Sequence, residues 1–232
     1  ETGMFAGCML AILTCGGLGL FSGTMVAFFG VPPFVASLGM MMVASGLAYM
    51  LSGGLSIYQL PESFDWLGRG DDLAGIPNAV VLMIILYFLA HLLMSRTTAG
   101  RYVYAVGGNS EAARLSGVPV KRILLWVYAG SGALAGLGGM VMASQFRSGD
   151  PKYGLMYELY VIAAVVVGGT SLSGGRGKVF GTLIGAFIIA VIQNGMNLTG
   201  VQSYTQKVVL GLVLLAAVLL DMLKKRGWKL SS

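Results

Sequence analysis

Runs of about twenty apolar residues recur along this chain, separated by short polar connections. A soluble domain has no interior large enough to hide them, whereas a bilayer does. The composition agrees. Hydrophobic residues make up 56% of the chain and charged ones 10%, and the mean hydropathy is +0.81, which places it among multi-span membrane proteins. The 36 glycines and 14 methionines suit close helix packing in lipid. The expected fold is all-α, a polytopic transmembrane helical bundle. One compact transmembrane domain is expected over 1–232, with no room for a large soluble module.

Seven segments qualify as spans: roughly 4–29, 34–53, 78–95, 122–145, 157–172, 179–198 and 206–223. The segment 157–172 is short, and is expected to be tilted, broken or re-entrant. Pro32-Pro33 marks the first turn.

The charges set the orientation. The connection 95–122 carries Arg96, Arg101, Arg114, Lys121 and Arg122 against Glu111. The connection 173–178 carries Arg176 and Lys178, and the tail carries Lys224, Lys225, Arg226 and Lys229. Together these are eleven of the fifteen basic residues. The loop 54–77 instead holds Glu62, Asp65, Asp71 and Asp72 against Arg69, and the loop 146–156 is mixed. With seven spans, all the basic connections fall on one side, so the positive-inside rule puts the C-terminus in the cytoplasm and residue 1 outside. The same rule accounts for the pI near 9.4 without a nucleic-acid partner. The chain opens Glu1-Thr2-Gly3, with no basic flank before its apolar run and hence no signal-peptide pattern. An outside start then implies an odd number of further spans upstream.

Catalytic chemistry finds no residues to carry it. The single histidine, His91, sits near a span end without a partner and reads as structural. Glu158 and Asp221 lie at span ends, where water or headgroups solvate them. No paired carboxylate, Cys/His metal spacing or nucleophile–base set is present, so neither a catalytic role, a metal nor a cofactor is expected. Cys8 and Cys15 share a helix face two turns apart, too far to bridge, and read as small buried hydrophobes. The run GGTSLSGGRGK at 168–178 fails the phosphate-loop pattern at two positions. GSGALA at 130–135 formally fits a dinucleotide fingerprint, but it lies inside an apolar span with no preceding strand. The glycines read better as packing surfaces. Gly132 with Gly136, and Gly181 with Gly185, have the small-xxx-small spacing that lets helix backbones approach in lipid. The run 168–178 then becomes a tight turn with Arg176 and Lys178 at its tip.

Polar residues in or near spans are few: Ser37, Ser45, Ser52, Thr170, Gln193, Asn194 and Asn197. The last three cluster near the outer end of the sixth span. They serve either interhelical hydrogen bonding or the lining of a path for a polar, uncharged solute.

One stretch breaks the apolar pattern: NSEAARLSG at 109–117. Asn109 or Ser110 can cap a helix. Glu111 suits the positive end of the helix dipole, and Ala112 and Ala113 favour helix with almost no side chain. Gly117 suits the left-handed position past the end, and Pro119 stops continuation. Two turns of helix follow, about 10 Å long, too short to persist without support. A linker on the headgroups and a helix docked in a partner's cleft are equally consistent with these residues.

The runs AVGGNSEAARLSGVPVKR and VVVGGTSLSGGRGKVFGTLIGAFI, with VPPFVASLGMMMVASGLAYMLSGG earlier, resemble the permease subunit of bacterial ABC sugar importers of the ribose, xylose and galactose type. The resemblance covers essentially the whole chain. It implies a family plan of about ten spans, of which this chain matches the later seven. It also implies a multi-pass protein of the bacterial inner membrane with several partners: a second permease subunit, identical or different, two cytoplasmic ATP-binding subunits and a periplasmic sugar-binding protein. The permease would itself hydrolyse no ATP. The family's E-A-A-x-x-x-G pattern is met by Glu111, Ala112, Ala113 and Gly117, with Arg114 inside it. The resemblance implies that 96–122 is the coupling loop, which in the family docks its short helix on the ATP-binding subunit. Arg147 and Lys152, beside the acidic loop 54–77, are expected to receive the binding protein through charge complementarity. The alternatives are a branched-chain amino-acid permease of the same plan, or a secondary transporter or channel. The latter usually shows an ionisable residue inside a span for ion coupling, and none is found here.

Overall fold

The computed structural model describes residues 2–58, 60–72 and 75–229. Ten α-helices follow one another among them. They are α1 (Thr2–Phe29), α2 (Pro33–Ser52), α3 (Asp65–Arg69), α4 (Asn78–Arg96), α5 (Thr98–Gly108), α6 (Ser110–Leu115), α7 (Val120–Phe146), α8 (Tyr157–Val167), α9 (Val179–Leu198) and α10 (Ser203–Lys229). Six are long and apolar enough to cross a membrane: α1, α2, α4, α7, α9 and α10.

The helix boundaries have local causes. After α1, Gly30 takes a left-handed conformation (φ +69°). Pro33 then opens α2 at a position where no N–H is needed, as the Pro32-Pro33 turn predicts. Gly53 closes α2 in the left-handed region. The fifth predicted segment is the one that differs. Its helix, α8, has 11 residues and a length of about 16 Å, shorter than a regular full span. Met156 enters it with φ 71°, and Gly169 turns away after it with φ +85°. Seven apolar segments therefore give six long helices and one short one, because residues 168–172 form a glycine turn rather than more helix.

The chain divides into two compact units, 1–86 with 117–153, and 87–116 with 154–232. In the first, α1 and α7 pack antiparallel along most of their length. Gly16 faces Ala133, Gly19 faces Tyr128 and Gly132, and Gly23 faces Tyr128 and Leu125. A Cβ on Gly132 would overlap the Cys15 carbonyl and lie 3.1 Å from Gly19 Cα, and one on Gly136 would lie 2.9 Å from Cys15 Cβ. The predicted small-residue face therefore exists, and its partner is the glycine-rich face of α1. Cys15 is partly buried there and Cys8 is also free. An apolar cavity of ≈ 540 Å³ lies beside this pair, bordered by Cys8, Phe64 and Met140.

The loop after α2 is ordered against the end of α7. The fully buried Ser144 hydroxyl donates to the Phe64 carbonyl at 2.6 Å and accepts from Gly68 N–H at 2.8 Å. The Asn78 amide donates to the Trp66 carbonyl at 2.9 Å. Trp66 Nε1–H bonds to Asp72.

In the second unit, α8 lies antiparallel to α9 through the second predicted glycine pair. A Cβ on Gly185 would overlap the Ala164 carbonyl, and one on Gly181 the Gly168 carbonyl. Ala163, Ala164, Ile189 and Leu210 form the buried core where α8, α9 and α10 meet. The His91 ring of α4 packs against Phe180 of α9 in a tilted arrangement, with ring centroids 4.6 Å apart.

Candidate functional site

The stretch 109–117 forms the helix α6 with its neighbours tightly specified. Asn109, in extended conformation, accepts the Ala112 N–H on its side-chain oxygen at 3.0 Å. Of the two candidate caps, Asn109 is therefore the one used. Its own N–H closes α5 by donating to the Ala105 carbonyl at 3.1 Å. One residue thus caps two helices and leaves no slack between them. Ser116 donates its hydroxyl back to the Ala112 carbonyl at 2.9 Å. Gly117 then takes φ +82°, the left-handed position that favours glycine.

The faces of α6 differ. Ala113 is buried, whereas Glu111, Ala112, Arg114, Leu115, Ser116 and Gly117 are exposed. Leu115 is 77% exposed. Glu111 and Arg114 form a surface ion pair at 2.6 Å. Its hydrogen bond and charge hold the Glu111 carboxyl below the usual range and raise Arg114. The pair leaves the Leu115 tip uncovered. A six-residue helix with an exposed leucine and a rigid base can present one face to another protein.

Before α6, Thr97 caps α5 by accepting the Gly100 N–H at 3.2 Å. Gly100 is buried, and a Cβ there would lie 2.6 Å from Met94 Cα. The chain folds sharply from α4 into α5 because glycine permits this approach. α5 then reaches the turn between α8 and α9. The Tyr104 hydroxyl donates to the Gly177 carbonyl at 2.9 Å, and a Cβ on Gly107 would lie 2.8 Å from Gly175 N. The two basic connections expected on one side of the membrane, 95–122 and 173–178, therefore touch.

The other expected site residues stand apart from α6. The exposed Arg147 pairs with Asp65, so one candidate docking charge is already engaged within its own unit. Lys152 is exposed and donates its backbone N–H to Asp150 at 2.7 Å. Ser56 also donates to Asp150, at 2.6 Å, and Ile57 and Gly149 exchange backbone hydrogen bonds at 2.8 Å. The loops 54–77 and 146–156 are thus joined, as the charge reading requires. The Ser56 hydroxyl and then the Lys152 N–H hold the Asp150 carboxyl below its usual range. The charged form is favoured in the fold, so this contribution is present above the ordinary aspartate value and lost as pH falls through the depressed one. Ser56→Ala is expected to return the Asp150 titration toward the ordinary range; an unchanged carboxyl titration by NMR would contradict the assignment.

Asn197 accepts from the Gln206 amide at 2.9 Å, and Gln206 also donates to the Val201 carbonyl at 2.8 Å. Gln206, on α10, is absent from the sequence-based set because only the hairpin brings it to Asn197. Gln193 is half-buried and Asn194 exposed. The tail charges Lys224, Lys225, Arg226 and Lys229 lie outside the residues whose side chains are described.

The chain matches, over residues 1–218, the family described as "Branched-chain amino acid transport system / permease component". It is 42% identical over 208 residues to the ribose import permease protein RbsC of Escherichia coli K12, covering 88% of this chain and 64% of that protein. It is 46% identical over 191 residues to RbsC of Bacillus subtilis 168, covering 82% and 59%. With the D-allose transport system permease protein AlsC of Escherichia coli K12 it shares 38% over 213 residues, covering 91% and 65%. The chain thus spans less than two-thirds of the length of these relatives. No solved structure matches it. A family match that takes in the capped helix α6, both glycine-packed helix pairs and five of the six long apolar helices completely makes this chain a member of that family of multi-pass membrane permeases.

Proposed function

We propose that this chain is the membrane-spanning subunit of an ATP-driven importer that moves a monosaccharide from periplasm to cytoplasm by alternating access. Separate ATP-binding subunits would drive it, with α6 as the point of attachment. The observation that carries this reading is the geometry of α6, a rigidly capped helix with an exposed leucine tip, next to basic connections that the positive-inside rule assigns to the cytoplasm. Within its own unit α6 buries only Ala113 and presents Leu115 outward, available to a partner's cleft. A second permease subunit and a periplasmic binding protein complete the proposed assembly, with the C-terminus cytoplasmic. Gln193, Asn194 and Asn197, near the outer end of α9, are proposed to line the path.

In the full-length permease, Glu111→Lys is expected to reduce co-purification of the ATP-binding subunits and uptake by about tenfold. The change breaks the pair with Arg114 and adds a cation to an already basic face. Unchanged assembly and uptake would exclude α6 as the attachment point. Reversing charge at Arg147 and Lys152 together tests the outer face. Binding-protein affinity is expected to fall by about tenfold and to lose much of its salt dependence, and an unaltered salt profile would exclude docking there. The family description favours a second substrate, a branched-chain amino acid, against the ribose and allose of the relatives' names. Uptake of labelled ribose against labelled leucine by the assembled importer separates the two.

A further inference from the structure

The contact between α5 and the turn 170–178 is made of backbone. Gly107 meets Gly175 with no side chain between them, and Gly174 and Gly175 both hold left-handed conformations (φ +81° and +72°). A Cβ on Gly175 would lie 2.6 Å from Gly108 Cα. Tyr104 adds its 2.9 Å hydrogen bond to the Gly177 carbonyl, one residue before the cap of α9. The Gly107–Gly175 part of the contact is stiff, since no flexible side chain lies between the two backbones to absorb a displacement.

Both ends of the contact are held. On one side Asn109 caps α5 and α6 together, so a push on α6 is delivered to α5. On the other, the turn is closed by Ser171 N–H donating to the Arg176 carbonyl at 3.0 Å and by Gly174 N–H donating to the Ser171 carbonyl at 3.1 Å. It leads directly into α9, which carries Gln193, Asn194 and Asn197 towards its far end.

We propose that Tyr104, Gly107 and the Gly174–Gly175 turn form a mechanical relay that carries displacement of α6 to α9. Tyr104 and Gly107 are positioning residues in this role. The relay rests on the proposal that α6 receives the ATP-binding subunits. It differs from a merely structural contact in what it predicts, namely that weakening it separates ATP hydrolysis from transport without releasing the ATP-binding subunits.

The test uses the full-length permease assembled with its ATP-binding subunits and binding protein in proteoliposomes. It reads ribose moved per ATP hydrolysed and the amount of ATP-binding subunit retained. Tyr104→Phe removes one hydroxyl, and the ratio is expected to fall about fivefold. Gly107→Ala forces the turn away, and a fall of about tenfold or more is expected. Retention stays at the parental level in both. An unchanged ratio in both variants overturns the relay, and so does a loss of subunits in step with transport, which would mean that the contact only holds α6 in place. Should Gly107→Ala fail to fold, Tyr104→Phe alone decides. A parental permease that retains no ATP-binding subunit overturns the coupling reading itself, whereas a coupled parent with equally coupled variants overturns the relay alone.

Discussion

Gly132→Ala is expected to destabilise the folded chain by at least about 2 kcal/mol, although it adds a single methyl group. The new Cβ has nowhere to go: it would overlap the Cys15 carbonyl and crowd Gly19 Cα. Both obstacles are backbone of α1, which a side-chain rotation cannot move. Relief requires α1 and α7 to separate along a contact that runs from Ala11 to Gly23, so many small dispersion contacts are lost for one atom gained. Gly138, six residues further along α7, provides the control, since a Cβ there meets nothing within 4 Å in this chain. Gly138→Ala is expected to leave stability unchanged or to raise it by up to about 1 kcal/mol through helix propensity. Unfolding of both variants in detergent micelles distinguishes them, and equal stabilities would mean that the α1–α7 contact is not the one described.

The second large effect is at Gly117. Its φ of +82° lies in the left-handed region, and open space surrounds the position where a Cβ would be. A substitution there is opposed by backbone strain alone, about 1–2 kcal/mol for an ordinary L residue and more for a β-branched one. That strain is avoided if the end of α6 rearranges. Gly117→Val is therefore expected to lower ATP-driven uptake by the full-length permease about tenfold or more. Gly117→Ala should fall between, and Gly117→Asn should come nearest the parent, because asparagine tolerates the left-handed region. A crowding effect would instead follow side-chain volume. Uptake in which Asn and Val behave alike would contradict the conformational explanation and remove Gly117 from the proposed coupling site.

Much of α6 was legible because its signals are local. Capping, helix propensity, a left-handed glycine and a following proline act within a few residues, and NSEAARLSG carries all four. The choice of Asn109 over Ser110 is made by the fold, since either side chain has the chemistry to cap. The engagement of Arg147 was not legible. Asp65, its partner, lies more than eighty positions earlier, and the charge pattern of the two loops identified complementary loops without identifying pairs. Gln206 escaped notice for the same reason. At the start of α10 it looks like an ordinary interfacial residue, and only the turn 199–202 brings it to Asn197.

Read alone, the sequence determined what each segment is. Hydropathy over about twenty residues specifies a spanning helix, clusters of basic residues mark an expected cytoplasmic side, and glycine spacing announces close packing. These properties belong to one stretch of chain in a known solvent, the bilayer, and need no partner to define them. The tertiary structure decided which segments meet. It paired α7 with α1, reduced the fifth apolar segment to the 11-residue α8, and laid the Gly174–Gly175 turn against Gly107. The energy of such a contact depends on two backbones arriving at one distance, and that distance is a property of the pair, present in neither stretch by itself.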